Sequence, residues 1–543
     1  SFPTRRSSDL NFWEVDFKPA VRGRTGDFDS NTPSLVRSAL QSHQLASLNW
    51  QVRAWQAGIP GILNADEQGL GKTLQTLSFI TWLRERMADV SIPKKPFLIV
   101  APTSLLLNWE AEIERHLEPG CLGKPVRLYG EYLGAYKKPG GGQDLRDGEA
   151  RLDIEAIANA EGGCAVVITT YQTLANYAIS LMDLDCSLAV FDEIQFLKNP
   201  VTMRAKAAKA VRSDFRIGLT GTPIENATKD LWALVDQLFP GALGALAQFR
   251  RVFDTPTEAS MGALHSALFR SQNDYPPLAL RRLKTDAAPH LPTKVRILHP
   301  REMPKAQMLR YDEVRAKGGG ILALLQHMRR VSLHPGLLEG ETTEEFNLSS
   351  ARVSAAIDIL RHIKSKNERA LVFVENRDVQ TWFAEVVRIE FDLERVMIIN
   401  GDTTIDARKD ITDRFQRHLI DDRGFDVLIL GPRAAGTGLT LTAANHVIHL
   451  SRWWNPAVEE QCNDRTHRIG QKKPVTIHIP LAVHPGLGRG SFDCLLQSLM
   501  KRKRSLADRI LWPGDVTEGE TKMLYDAVLA AETTSDLKSM NVD

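Results

Sequence analysis

Three short stretches of the sequence carry residue types that could handle a polyphosphate. The first is Asp66-Glu67-Gln68-Gly69-Leu70-Gly71-Lys72-Thr73, which follows an apolar run at 61–65 and opens an amphipathic segment at 73–87. Gly69 and Gly71 let backbone N–H groups close on phosphate oxygens with no Cβ in the way, and a helix start adds partial positive charge. Lys72 would reach the β- and γ-phosphates, and the Thr73 hydroxyl would ligate Mg²⁺. Asp66 stands where the general pattern G-x-x-x-x-G-K-S/T has its first glycine, so a chance loop with a helix cap is the alternative for this stretch taken alone.

The second stretch is Asp192-Glu193, directly after the apolar run 188–191. Two adjacent carboxylates at the carboxyl end of a parallel strand sit where α/β sheets place ligands. Asp192 would hold Mg²⁺, and Glu193 would orient and deprotonate an attacking water. An isolated Asp-Glu pair reads better as a solvated loop; its place at a strand end, downstream of a phosphate loop, reverses that. The third stretch, 461–471, contains Arg465 and Arg468. Three apart, they would share a helix face and could aim two planar guanidinium forks at one polyphosphate. Without that context the same pattern is a salt-bridged surface helix.

These residues need a scaffold, and the hydrophobic pattern supplies one. Short, nearly continuous apolar runs fall at 61–65, 97–101, 165–169, 188–191 and 216–220, and again at 371–374, 396–399, 427–430, 446–450 and 475–479. Runs of this kind are expected of strands buried on both faces of a parallel sheet. Amphipathic stretches such as 73–87 and 106–116 lie between them, so the fold class is α/β, in two lobes. The stretch 228–366 breaks the rhythm: it is helix-rich and holds the basic cluster Arg281, Arg282 and Lys284 and the glycines 318–320.

The chain has 543 residues, enough for two to four domains, with 43 % hydrophobic and 25 % charged residues, the mix of a globular protein. No run reaches the ~20 apolar residues of a membrane span, so no membrane role is expected. The net charge of +2 makes no case for nucleic acid by itself. Five scattered cysteines without a C-x-x-C pair argue against a disulfide framework or a zinc site. The first ten residues, SFPTRRSSDL, look like the translation of a sequencing adaptor and are not expected to belong to the fold.

In this order the motifs resemble those of the Swi/Snf-type ATPases of helicase superfamily two, over roughly residues 40–479, and a compact prokaryotic member fits best. Residues 66–73 are similar to the family's DE-x-G-L-G-K-T loop, which accounts for Asp66. Asp192-Glu193-Ile194-Gln195 is similar to its DEAH-type box, and Leu219-Thr220-Gly221-Thr222-Pro223 to its motif III. Leu280-Arg281-Arg282-Leu283-Lys284 and Leu291-Pro292 resemble two further signatures. Trp453-Trp454-Asn455-Pro456 and residues 464–471 resemble the last motifs. The chain departs from the family at Gln68, Ile194, Gln195 and Thr440.

The resemblance implies two RecA-like lobes, each a parallel sheet flanked by helices, with a helical insertion between them. It implies ATP and Mg²⁺ as cofactors, with Gln44 reading adenine, and Asp66, Glu67, Gly69, Leu70, Gly71, Lys72 and Thr73 around the phosphates. It implies arginine fingers at Arg465 and Arg468. It also implies a nucleic-acid groove at Pro102, Thr103, Ser104, Asn108, Trp109, Thr169, Thr170, Tyr171, Gly436 and Thr437. The expected domains are 11–290 (first lobe with a helical protrusion), 291–368 (helical insertion and linker), 369–485 (second lobe) and 486–543 (helical tail). The expected activity is ATP-dependent translocation on double-stranded DNA without sequence preference, by a monomer, with displacement of bound proteins. A strand-separating helicase, a silent scaffold and a nucleotide-gated switch are the rivals. The location would be the cytoplasm, at the nucleoid, in a prokaryote, or the nucleus in a eukaryote. The run Lys501-Arg502-Lys503-Arg504 reads as a solvated helix face, a DNA brace or a nuclear signal.

Overall fold

A strand that is apolar at nearly every position has no face to give to water, so helices must cover it on both sides. The computed structural model does this twice. It describes residues 23–24, 29, 31–87, 92–140, 142–224, 227–255, 257–271, 275–288, 290–337, 349–432, 439–509 and 518–531. The suspected adaptor, 1–10, lies outside them. The chain divides into two units, one running to Pro289 and one beginning at His290.

The strands of the first unit are β1 (Gly61–Asn64), β2 (Phe97–Ala101), β3 (Val126–Leu128), β4 (Val166–Thr170), β5 (Asp185–Cys186), β6 (Leu188–Asp192), β7 (Arg212–Ser213), β8 (Arg216–Leu219) and β9 (Ala279–Leu280). Seven form one sheet in the order β3-β4-β2-β6-β8-β1-β9, while β5 and β7 pair with each other. The pairings are parallel. Side chains alternate across the sheet. Ile62, Ile99 and Ile168 therefore enter one core, which contains Leu77 and Trp82 of helix Lys72–Arg86. Leu63, Leu98 and Val167 enter the other, with Leu231 and Leu234 of helix Thr228–Leu238.

Register fixes what meets at the carboxyl edge. Asn64 lies beside Leu219, and Leu219 beside Asp192. The strands that precede the lysine loop, motif III and the acidic pair thus end level with one another. This is where parallel sheets gather ligand-binding loops.

In the second unit the strands are β10 (Lys294–Glu302), β11 (Arg369–Phe373), β12 (Met397–Ile399), β13 (Asp426–Leu430), β14 (His446–His449) and β15 (Val475–Val483). They form a parallel sheet in the order β10-β15-β14-β11-β13-β12. The segment 291–368, expected as helical insertion and linker, instead supplies β10, which pairs with β15 along nine residues. Helices Lys305–Lys317, Ile321–Leu333 and Ala351–Ser365 follow it. β10 escaped the apolar pattern because it is an edge strand, mostly exposed, and carries Lys294, Arg296, Pro300 and Arg301. Charges and proline are the usual guards of an open edge.

The expected tail is not a separate element either. Helices Phe492–Arg509 and Glu518–Ala530 share a core with the helices after β10, through Tyr311, Leu324, Met328, Phe492, Leu496 and Leu524. Its basic run is divided. Lys503 is buried against Glu520 at 2.8 Å and Arg504 reaches Glu459 at 3.5 Å, whereas Lys501 and Arg502 are exposed. Among the described residues, no helix is long and apolar enough to cross a membrane.

A buried ion pair ties the expected linker, second lobe and tail together. Arg352 and Asp493 have fully buried side chains. The Arg352 Nε–H donates to Asp493 Oδ2 at 2.7 Å, a second guanidinium nitrogen donates to Oδ1, and a third reaches the Leu450 carbonyl at 3.2 Å. The Ala482 N–H adds a bond to Oδ2 at 2.7 Å. Arg352→Ala leaves a buried carboxylate without its counter-charge and is expected to destabilise the second unit by roughly 3–5 kcal/mol. Denaturant unfolding of the full chain, followed by fluorescence, checks this; a change below ~1 kcal/mol contradicts it.

Candidate nucleotide site

The loop at 66–73 is shaped by its glycines. Gly69 and Gly71 have φ of 89° and 79°, in the left-handed region that other residues avoid. Gly71 is the N-cap of helix Lys72–Arg86, so backbone N–H groups of the first helical turn face the loop. A Cβ at Gly71 would lie 2.5 Å from the Gln44 amide nitrogen. Gln44 is buried and donates to the Leu70 carbonyl at 3.5 Å, beside His43, which donates to the same oxygen at 3.0 Å. The residue expected to read adenine is therefore packed against the loop. The Lys72 ammonium donates to the Asp66 carbonyl at 2.7 Å and to that of Glu67 at 3.5 Å. Thr73, second in the helix, is half-buried.

Asp66 and Glu67 do something the sequence did not reveal. Asp66 is fully buried, and both of its carboxylate oxygens accept from the guanidinium of Arg282, Oδ1 from Nε at 3.0 Å. Glu67 Oε2 accepts from the Lys284 backbone N–H at 2.7 Å, with the Lys284 ammonium 3.8 Å from Oε1. These carboxylates, expected around the phosphates, hold the loop to a segment more than 200 residues away. The expected basic cluster supplies that anchor. Only its residue types were visible in the sequence, not the carboxylates it would meet.

The acidic pair stands at the end of β6. Asp192 Oδ2 accepts from the Trp109 indole N–H at 2.9 Å and Oδ1 from the Glu193 N–H at 2.9 Å. Burial, with the neighbouring Glu193 carboxylate, pushes Asp192 up to about 7, while the nearby Lys72 charge works the other way. Glu193 has φ 49° and ψ 53°, a conformation that costs a non-glycine residue of the order of 1 kcal/mol. Its carboxylate accepts from Gln195 at 2.6 Å and from Gln68 at 3.3 Å. The departures at Gln68 and Gln195 thus converge on one carboxylate. Gln68 also fills the space over motif III, where a Cβ on Gly221 would lie 2.5 Å from its Cγ.

Several residues expected on a nucleic-acid groove are committed elsewhere. Trp109 is buried and bonded to Asp192. The Tyr171 hydroxyl donates to the Asp192 carbonyl at 2.7 Å, and the ring stacks on Phe196. Thr170 caps helix Tyr171–Asn176, accepting from the Thr173 N–H at 2.9 Å, and the Thr169 hydroxyl donates to the Leu128 carbonyl at 2.9 Å. Pro102 is buried, Ser104 and Asn108 are half-buried, and Thr103 is exposed. Gly436 and Thr437 lie outside the described residues.

Within the second unit, Arg465 and Arg468 do not share a helix face. Helix Pro456–Asn463 ends before them, and turns carry the chain through 464–470. Arg465 is buried, and its carbonyl accepts from the Leu441 N–H at 2.9 Å; Arg468 is half-buried and reaches the Leu439 carbonyl at 3.4 Å. The turns are pinned by Gln471, whose amide donates to the carbonyls of Thr442, Ala444 and Thr466, and by His467, which donates to the Pro292 carbonyl at 2.8 Å. Two carboxylates anchor the preceding helix. Burial opposes the charge on Glu459, but Arg452, with His449 and Arg504, holds it down to about 2. Desolvation also opposes the charge on half-buried Glu460, but Lys294 and Arg296 hold it well below the usual carboxylate range.

A Gly-Lys-Thr loop opening a helix, level with an acidic pair on a parallel sheet, defines the class of α/β proteins with a phosphate-binding loop. An SNF2-related domain matches residues 43–369 and a helicase conserved C-terminal domain matches residues 351–470. The chain belongs to the SNF2-related family. It is 34 % identical to the Zorya protein ZorD of Escherichia coli O139:H28 over 502 residues, 87 % of this chain and 45 % of that protein. It is 28 % identical to the putative ATP-dependent helicase/translocase YwqA of Bacillus subtilis over 519 residues, 91 % and 52 %. The ISWI chromatin-remodeling complex ATPase CHR17 of Arabidopsis thaliana is 29 % identical over 470 residues, 82 % and 40 %. The chain spans about half the length of the curated relatives it matches. Among solved structures, the Sulfolobus solfataricus SWI2/SNF2 ATPase core in complex with dsDNA aligns with 25 % identity and a TM-score of 0.41, covering 93 % of this chain and 100 % of that one.

The loop geometry gives a direct expectation. Gly71→Ala must accommodate both a positive φ and a Cβ pressed on Gln44, at a cost of about 1–3 kcal/mol. It is expected to weaken binding of a fluorescent ATP analogue about tenfold or more. Titration of both proteins checks this, and equal affinities contradict it.

Proposed function

We propose that this chain is an ATP-driven motor on double-stranded DNA, a DNA-dependent ATPase that translocates along the duplex as a monomer and displaces bound proteins. The observation that carries the reading is the level ending of β1, β8 and β6, which gathers Lys72, motif III and the Asp192-Glu193 pair at one edge. Family membership supports it, as do relatives whose names record ATP-dependent helicases and remodelling ATPases.

In this reading the amides at Gly71 and the first helical turn, with Lys72, bind and orient the phosphates of ATP. Thr73 and Asp192 would hold Mg²⁺; one hydroxyl and one carboxylate suit an ion that keeps waters and substrate phosphates as its other ligands. The ion so held would neutralise charge on the phosphates. Glu193, kept in place by Gln68 and Gln195, orients the attacking water and accepts its proton. Arg465 and Arg468, from the second unit, neutralise charge that develops on the γ-phosphoryl oxygens. In this reading each turnover alternates the hold on DNA phosphates, which moves the chain along the duplex. Such contacts carry little sequence information and weaken as salt rises.

Duplex DNA is expected to stimulate ATP hydrolysis, which a phosphate-release assay with and without duplex measures. Lys72→Ala and Glu193→Gln are expected to abolish the stimulated activity, and normal turnover in either refutes the site. Arg468→Ala is expected to keep analogue binding and lose ~10³-fold in turnover; a defect confined to binding contradicts the finger role. Triplex displacement without fork unwinding is the expected output, and the reverse result identifies a strand-separating helicase.

A further inference from the structure

Two signatures, Leu280-Arg281-Arg282-Leu283-Lys284 and Leu291-Pro292, are not used by the chemistry above, yet each has specific partners. In the first unit the backbone N–H groups of Leu63, Ala65 and Glu67 donate to the carbonyls of Leu278, Leu280 and Arg282 at 2.9, 2.7 and 3.0 Å. The edge pairing of β9 with β1 therefore continues along the start of the phosphate loop. Arg282 on Asp66 and Lys284 on Glu67 fasten it there.

In the second unit the chain enters another sheet edge. The Val475 N–H donates to the Thr293 carbonyl at 2.9 Å, and β10 then runs beside β15. Its first residues hold the arginine segment. The Lys294 ammonium lies 3.0 Å from Glu460 Oε2, Arg296 pairs with Oε1, and the Pro292 carbonyl accepts from His467, which sits between Arg465 and Arg468. Residues 285–291 are all that separate Lys284 from Pro292. Those eight Cα steps span at most roughly 26–29 Å when fully extended, at about 3.3–3.6 Å each.

We propose that the segment joining β9 to β10, an edge strand of each sheet with the short helix Lys284–Ala287 after the first, acts as a strap that carries movement of the phosphate loop through the backbone to the arginine segment. Arg282 and Lys284 hold one end; Lys294 and Arg296 hold the other. They are positioning residues, since they touch carboxylates of the loop and of helix Pro456–Asn463, which precedes the arginine turns, and no reacting atom. The inference rests on the reading that Lys72 and Arg468 serve one nucleotide. Its physical content is stiffness. Loop displacement relaxed within a slack connection would leave Glu460 and His467 unmoved, whereas hydrogen-bonded edge strands at both ends, and the helical turn Lys284–Ala287 with its Ala287 and Ala288 N–H groups bonded to the Leu283 and Lys284 carbonyls, leave few residues between them to absorb it.

The test inserts Gly-Ser-Gly-Ser after Ala288 in the full chain. It measures kcat and KM for ATP with saturating duplex, affinity for a non-hydrolysable fluorescent ATP analogue, and Tm. A passive tether lengthened from seven to eleven residues loses only about 2-fold in effective concentration, by the −3/2 power of length. A strap predicts a kcat loss of ~10-fold, with KM, analogue affinity and Tm close to those of the parent chain. A loss no larger than the passive value overturns it.

Should the insertion lower Tm, the double-mutant cycle of Lys284→Met and Glu460→Gln decides. One strap predicts that the double variant has a kcat no lower than the worse single variant; losses that multiply show two independent local clamps and overturn the proposal. An active parent chain with a silent insertion sinks the strap alone. A parent chain that hydrolyses no ATP with duplex sinks the motor reading and the strap with it.

Discussion

A carboxylate with no exposed surface is a demanding feature in any protein, because its charge must be compensated where it lies. Asp66 is such a group, and the Arg282 guanidinium answers it with donors to both oxygens. The pair does more than neutralise. It closes a loop of more than 200 residues in the chain and draws a distant segment alongside β1. Glu67 repeats the device one residue later through the Lys284 N–H. With its first half fixed in this way, the loop can hold two left-handed glycines and aim Lys72 without collapsing onto the sheet. The aspartate at the generic glycine position is the reason the loop has an outside anchor.

The acidic pair is supported on a similar plan, with neutral donors in place of charges. Trp109, Gln68 and Gln195 each place an N–H on Asp192 or Glu193, and the Tyr171 hydroxyl takes the Asp192 carbonyl. These donors come from four different parts of the first unit. Together they hold Glu193 in a left-handed conformation that it would not keep in a free loop. The second unit uses charge again. Glu459 and Glu460, adjacent on one helix, are gripped by separate cations, and this fixes the turn that carries Arg465 and Arg468.

The loop at 66–73 and the acidic pair of the first unit could be picked out in the sequence because the chemistry proposed for them requires particular types next to one another. Glycines beside a lysine and a threonine, and two carboxylates after an apolar run, are local facts. Each of the ten apolar runs became a strand of the two large sheets for a similar reason: burial on both faces favours apolar residues, and the pattern survives in a linear string, whereas the short strands β3 and β9 left no such run. β10 was missed because an exposed edge reverses that pattern. The tail was taken as separate because its helices look like any amphipathic pair until Leu496 and Leu524 are seen packed with Tyr311 and Met328.

By itself, then, the sequence determined the α/β class, two sets of strands, the lysine loop and the acidic pair, since each rests on neighbouring residues or short-period burial. Tertiary structure decided which distant groups those residues meet. It turned Trp109, Tyr171 and Thr170 inward, set Arg465 and Arg468 in a turn beyond a helix end, and gave Asp66 to Arg282. Local spacing cannot encode such pairings, because a buried charge or donor is satisfied by whatever partner the packed chain brings within about 3 Å, however far away it lies in the sequence.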